Sequence, residues 1–520
     1  MKKKSSMLKY ILIVALCLSV ALFSLCACNP SGGGNTGGNT DGNTENPTCV
    51  HADKNDDGKC DNCKQNVLVD LDFYAINDLH GSYTKTDSQP GVGGLSTYLK
   101  QKQAEQNQIV LASGDMWQGG SESNNTKGKL ATEWLNYIDC AAMTLGNHEF
   151  DWKTDKIKTN AQLAKFPFLA INVYEHATNA RAPYCQGSVM VQKGGAKVGI
   201  IGAIGDCYSS ISASMCRDVY FKTGRELTSL IKAEATKLKQ QGANYIALSI
   251  HDGYAGSSSY LQNVSDEQLT WYDSSLSDGY IDVVFEGHTH SSYTLVDKHG
   301  VKHVQAGGYN KGIAHAFATV NVANGKKSTS VNVIRNSAYS QEKEDDIIDR
   351  LVEKYKSEIG NPDEVLGYNA DYRSFDELKK LMVESYWQKG QEVWGREYDI
   401  VLAGGYISVR DPKYLPAGNV TMRQIQTLFP FDNEMHLCTI SGRDLQRRYF
   451  KSNNYVYVCN ESVRKKIERG EGLDDTYYIV TDSYNTDYAK NNLTIVKTLG
   501  ASVYPRDCLA EYIKAGNLAK

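Results

Sequence analysis

GNHEFD, residues 146–151, places an amide, an imidazole and two carboxylates within five consecutive positions, directly after the apolar run WLNYIDCAAMTL. Polar atoms at the end of a buried strand lose their hydration unless they pair with each other or with a cation. The segment is therefore either a solvated turn or a loop that does chemistry, and the rest of the chain decides between them. The same pattern of an apolar run with a polar end recurs: Asp78 and His80 in NDLHG, Asp115 in SGDMWQGG, His251 in SIHDG, and His288 and His290 in GHTH. A single histidine is more often a satisfied core or surface residue than a ligand, but repetition at every strand end of one region does not fit that explanation. Hard oxygen donors mixed with imidazoles suit two divalent first-row ions rather than one structural zinc, which would favour cysteine.

In this order and spacing, D-x-H, G-D, G-N-H-E, H and G-H-T-H resemble the calcineurin-like metallophosphatases and, more closely, the bacterial 5′-nucleotidase family. QGG after Asp115, FPFLAINV at 166–173 and VQAGGYNKG at 304–312 extend the likeness. It is strong over about residues 68–335 and weaker beyond. The resemblance implies that Asp78, His80, Asp115 and His290 hold one ion and that Asp115, Asn147, His251 and His288 hold the other, with Asp115 bridging. The metals implied are Zn, Mn, Co or Mg, and the nucleophile implied is a metal-bridged hydroxide attacking in line. His148 is then not a ligand but a catalytic group facing the phosphate, with Asp151 fixing its tautomer. Glu149 is expected to hold the loop through backbone hydrogen bonds. Asp252 and Glu286 are further acids with no assigned role beyond tuning charge.

These residues need strands to position them. LVDLDFYAI, QIVLA, CAAMTL, KVGIIGAIG, YIALSIH and IDVVFE are strand-length apolar runs, separated by helical patterns such as LSTYLKQKQAEQ and RELTSLIKAEATKLKQQG, the second stopping at Gly242. Alternation of this kind predicts an α/β domain whose strand-end loops carry the chemistry. The fold class expected is α/β (α+β): a layered α/β/β/α metallophosphatase domain over 67–340, a linker helix over 341–360, and a smaller α+β substrate-binding domain over 361–520. In the family, the second domain holds a nucleoside between two aromatic rings and grips it with arginines. By that likeness LFPFDN nominates Phe431, YIVTDSYNTDY nominates Tyr484, and LAGGYISVR nominates Arg410, with Arg373 as the other arginine. The family's G-G-D-G-Y is replaced by NTDYAKNN after Tyr484.

Residues 1–28 read as an export signal, with four lysines in Met1–Lys9, the apolar stretch ILIVALCLSVALFSL and then LCAC. LCAC resembles a bacterial lipobox, which implies cleavage before Cys28, a lipid on its thiol and a membrane-anchored extracytoplasmic protein. The alternative is an uncleaved anchor, for which the apolar run is short. Residues 29–48, rich in Gly, Asn and Thr, read as a flexible tether. Residues 49–66 form a separate motif open to three readings: a zinc knuckle of Cys49, His51, Cys60 and Cys63; half of a calcium loop in Asp53, Asn55, Asp57 and Gly58; or a solvated spacer. Cys140, Cys185, Cys207, Cys216, Cys438, Cys459 and Cys508 are dispersed and odd in number, which does not indicate a full disulfide framework.

The net charge of −4, without a basic stripe, argues against nucleic-acid polymers as partners; protein partners are not indicated. The expected function is extracellular hydrolysis of nucleoside 5′-monophosphates. The alternatives are a phosphoesterase for 2′,3′-cyclic nucleotides, nucleotide sugars or another organic phosphate, and a non-catalytic surface binding lipoprotein that has no need of the full ligand set.

Overall fold

The computed structural model describes residues 49–520 apart from 87–89, 105–106, 255, 257–259, 266–267, 270–271, 488–491, 501–502 and 520. The signal, Cys28 and the tether lie outside the described residues, as do four positions of NTDYAKNN. The chain divides into Met1–Val50 and His51–Lys520, of which the second forms one compact unit. All the described strands and helices belong to the second.

Period-two alternation sorts the first strand, Leu68–Ile76, between two faces. Val69, Leu71, Phe73 and Ala75 face a second sheet, while Tyr74 and Ile76 face helices. The first sheet runs in the order Lys327–Arg335, Gly312–Asn321, Leu68–Ile76, Gln108–Ala112, Cys140–Thr144, Phe168–Leu169. The second runs Tyr260–Val264, Ser292–Asp297, Lys302–Ala306, Val283–Phe285, Tyr245–His251, Ala196–Ile204, Ser188–Lys193. The two sheets share a core in which the Phe73 ring lies 5.6 Å from Tyr245 and 5.7 Å from Phe285.

Helices cover both outer faces. Gly224–Gln240 presents Leu227, Ile231, Ala235 and Leu238 along one stripe to Ile201, Ile246 and Leu248 of the second sheet. It ends where expected, with Gly242 at φ +90°, a left-handed conformation that glycine adopts without strain. Gly93–Gln103 and Lys129–Tyr137 cover the first sheet through Leu95, Leu99, Leu130 and Trp134. The result is the expected α/β/β/α layering.

The segment read as one linker helix forms two short helices, Ile347–Lys354 and Lys356–Ile359. Ile347, Ile348, Leu351, Tyr355 and Ile359 are buried against the first sheet's helix layer. Beyond it, the twenty-residue helix Phe375–Trp394, capped by Ser374 and Glu377, packs on a five-stranded sheet. That sheet is ordered Val456–Cys459, Ile400–Gly405, Thr476–Asp482, Met435–Ser441, Thr494–Thr498.

Candidate metal centre and active site

Strands Leu68–Ile76, Gln108–Ala112 and Cys140–Thr144 are parallel neighbours, as are Ala196–Ile204, Tyr245–His251 and Val283–Phe285. Their carboxyl ends therefore deliver Asp78, His80, Asp115, Asn147, His251, His288 and His290 to one edge of the sandwich. Asp78, His80, Asp115, His288 and His290 all have positive φ, between 48° and 70°. Asp and His tolerate this region better than most residues, yet each instance costs on the order of 1–3 kcal/mol and persists only where its surroundings fix it. Here the Asp78 amide donates to Gly114 O and the His80 amide to Asp115 O, both at 3.0 Å. Close approach also needs two glycines: a Cβ on Gly114 would lie 2.3 Å from His251 Nδ1, and one on Gly146 2.3 Å from Asp115 Oδ1.

Two of the imidazoles are oriented by their second nitrogen. His80 Nδ1 donates to Gln118 O at 3.0 Å and His251 Nδ1 to Ser113 O at 2.7 Å, while His288 Nδ1 lies 3.0 Å from Asn147 Oδ1. The Nε2 atoms of His80 and His251 consequently point into the centre. His80 Nε2 meets His290 Nε2 at 2.9 Å, and His290 Nε2 lies 3.5 Å from Asp78 Oδ1. His251 Nε2 is buried, 3.0 Å from Asp115 Oδ2 but without hydrogen-bond alignment to any partner. Acceptors that converge in this way, with a buried orphan among them, fit divalent cations. Asp78, His80 and His290 form one three-residue group with a ligand's reach, and Asp78, Asp115 and His251 form another.

Electrostatics point the same way. Burial, and then His290, hold His80 well below the ordinary histidine value. Burial, and then His251, lower His288 to about 4, so both rings are neutral and ready to ligate. Burial disfavours charge on His251, but the Asp115 carboxylate outweighs it and raises that ring to about 10. Positive charge is most favoured between these two residues.

His148 Nδ1 lies 2.8 Å from Asp151 Oδ2, as expected, and its Nε2 accepts from Arg410 Nη2 at 2.6 Å. Burial opposes charge on the ring, yet Asp151 and Asp115 raise its pKa above the ordinary value. Glu149 is fully buried and accepts from the amides of Asp115, Met116, Trp117 and Gly146 at 2.7–3.3 Å, which is the loop-holding role expected of it. Asp252 accepts from the Gly253 and Cys207 amides, and Glu286 binds His303 and Tyr293. Both acids thus have structural work.

A cavity of about 260 Å³ adjoins this edge. Asn147, His148 and His288 line it together with Arg410, Phe431 and Tyr484. Arg410 stacks over the Phe431 ring at 5.2 Å, and the Tyr484 ring pairs with Tyr406 at 5.9 Å.

The model of the calcineurin-like phosphoesterase family matches residues 71–292, the span that holds every candidate ligand of this centre. Over that span the chain is similar to calcineurin-like phosphoesterases. Over 420 residues it is 25% identical to an apyrase of Tabanus yao, covering 72% of each chain. Over 528 residues it is 22% identical to Protein UshA of Yersinia enterocolitica, covering 87% of this chain and 90% of that one. Its fold is similar to that of a 5′-nucleotidase precursor from Thermus thermophilus, with a TM-score of 0.62 over 86% of this chain and 96% of that one at 16% identity.

One nomination beyond the phosphoesterase domain is corrected. Arg373 is not at the cavity: its guanidinium donates to Asn369 Oδ1 and Leu518 O and ties the C-terminus down. The arginine that lines the cavity with Arg410 is Arg506, which donates to Pro430 O and Phe431 O and pairs with Asp432. The strand-end pattern also left out Cys207, whose thiol donates to His251 O at 2.8 Å and lies within ligand reach of His251 and His288. Burial, and then Asp252, keep that thiol protonated. Its one signal in the sequence is its place at a strand end, directly after GAIGD.

Proposed function

We propose that the chain is a lipid-anchored, extracytoplasmic phosphoesterase that hydrolyses nucleoside 5′-monophosphates to nucleoside and phosphate. The observation that carries this reading is the single cavity lined by Asn147, His148 and His288 together with Phe431, Tyr484 and Arg410. A phosphate at the strand-end edge leaves its nucleoside facing the aromatic rings. The names of its relatives, apyrase and 5′-nucleotidase, support the same class of substrate. The signal and the lipobox-like LCAC support export and anchoring at Cys28.

Asp78, His80, Asp115 and His290 would hold one divalent ion and Asp115, Asn147, His251 and His288 a second. When bound, two such ions lower the pKa of a water and polarise the phosphoryl oxygens. The remaining chemistry belongs to side chains. His148 keeps a proton on Nδ1 for Asp151 and turns Nε2 toward the cavity, where, once that nitrogen is protonated as well, it would stabilise the transferring group and the leaving oxygen. Arg410 now donates to that same nitrogen, and a bound phosphate would take its place between the two.

The test is phosphate release from AMP, ADP, ATP, 2′,3′-cyclic AMP, UDP-glucose and p-nitrophenyl phosphate, with Mn²⁺, Zn²⁺, Co²⁺ and Mg²⁺ each supplied. The proposal expects AMP to give the highest kcat/KM. Equal or better turnover of the cyclic nucleotide, the sugar nucleotide or the generic ester would overturn it. Loss of membrane fractionation in Cys28→Ser tests the anchor.

A further inference from the structure

The motif at 49–66 offers two incompatible metal chemistries, oxygen donors for calcium or sulfur and nitrogen donors for zinc, and the geometry separates them. Calcium needs six to eight converging oxygens. In the Asp53–Gly58 loop those oxygens are already committed. Asp53 is buried and accepts from the Asp57 and Gly58 amides at 3.2 and 3.0 Å and from Asn321 Nδ2 at 2.7 Å. Asp57 accepts from the Lys59 amide and from Asn55 Nδ2, and Asp56 from Asn324 Nδ2 while it pairs with Lys326. The acidic loop is therefore a docking device that fastens this segment to the turn between strands Gly312–Asn321 and Lys327–Arg335.

The sulfur and nitrogen donors are arranged differently. Cys60 and Cys63 stand at the two ends of one tight turn, closed by the Lys64 amide on Cys60 O and the Cys60 amide on Gln65 O, both at 2.8 Å. The backbone amides of Asn62 and Cys63 hydrogen-bond to the Cys60 sulfur. His51 is brought to the same point: its Nδ1 lies 3.5 Å from Cys63 Sγ, and the ligand atoms of His51, Cys60 and Cys63 all fall within 4.8 Å of one another. The Asp61 amide on Ala52 O, at 2.6 Å, holds the His51 strand against the turn.

We propose that His51, Cys60 and Cys63 bind a structural Zn²⁺ ion, separate from the phosphoesterase centre, and that this ion fixes the segment that enters the first sheet. A closed tetrahedral site takes four ligands, and the sequence offers Cys49, two residues before His51, as the fourth. The motif docks where strand Leu68–Ile76 begins, whereas the phosphoesterase ligands follow that strand's other end. Nine strand residues at ~3.3 Å each put the two sites roughly 30 Å apart, so the ion serves the fold and not the reaction.

The experiment uses the purified protein loaded with Co²⁺ in place of zinc. The wild type should show a thiolate-to-cobalt charge-transfer band that Cys60→Ser/Cys63→Ser lacks, along with one metal equivalent fewer per chain and unchanged turnover of AMP. Alkylation of the native wild type gives an independent reading should that variant fail to fold: Cys60 and Cys63 should be protected with zinc and become reactive once a strong chelator is added. Absence of the thiolate band, reactivity indifferent to the chelator, or a disulfide between these cysteines in the unreduced protein would each overturn the proposal.

Discussion

His148 is held from both ring nitrogens, by Asp151 on one side and Arg410 on the other, and makes its case for catalysis by facing the cavity while its neighbour Asn147 faces His288. Removing a positioned acid or base costs about 10²- to 10⁴-fold in rate. His148→Ala should therefore lower kcat in that range with the metal content unchanged, measured by steady-state kinetics alongside metal analysis; loss of metal would make His148 a ligand instead. Glu149 works one step back. Burial, and then Asp115, push its carboxyl up to about 7, and the four amides it accepts from favour the charged form. Glu149→Gln sets an NH₂ group against donors that need an acceptor. It should destabilise the fold by roughly 1.5–3 kcal/mol, the range for a hydrogen bond to a charged group, and lower metal affinity as the Asp115 loop loosens. Urea unfolding and metal titration check the two effects.

At the scale of strands and helices, the layering and the gathering of Asp, Asn and His at one edge were legible in the sequence because both rest on residue type. Alternating apolar positions build a sheet, and Asp, Asn and His at the strand ends are costly unless used. What could not be read depended on the backbone. The carbonyls of Ser113 and Gln118 orient His251 and His80, and any residue supplies a carbonyl. Arg373 and Arg506 are chemically equal on paper, and only the path of the chain sends one to Leu518 and the other to the Phe431 segment. The same ambiguity hid His315, mid-strand, which faces Asp72 Oδ1 at 2.5 Å and Asn332 Oδ1 at 2.6 Å. Two acceptors require a doubly protonated ring. Burial opposes this, but Asp72 and Asn332 raise the pKa above its ordinary value. A raised folded-state pKa means that the folded chain binds more protons, so the stabilisation is fully present below the unfolded value of ~6.5 and fades as pH rises through the folded one. The wild type should exceed His315→Gln in urea midpoint at pH 6, and the gap, no more than about 1 kcal/mol for a partly exposed pair, should narrow toward pH 9. A gap that widens with pH would contradict the charged ring.

Across the whole molecule, the segment that follows Asp115 holds the Phe431 segment against the strand-end edge. Lys127 pairs with Asp432 at 2.5 Å, Asn124 donates to Pro430 O, and Arg423 pairs with Glu122. These contacts hold Phe431 6.0 Å from the His148 ring. Base stacking on an aromatic ring is worth on the order of 1–3 kcal/mol, and the base is remote from the reacting phosphorus, so the loss should fall on KM. Phe431→Ala should raise KM for AMP about 5- to 150-fold and leave p-nitrophenyl phosphate nearly untouched, whereas equal losses on both substrates would make Phe431 plain core. The central claim is a phosphoesterase whose two ions share one carboxylate, and Asp115→Ala tests it most directly by metal analysis together with AMP hydrolysis. The account predicts that wild type binds two ions, loses activity to a chelator and regains it with added metal, and that the variant loses both ions and the activity together. A variant that keeps two ions, or a wild type that still releases phosphate after chelation, would contradict it.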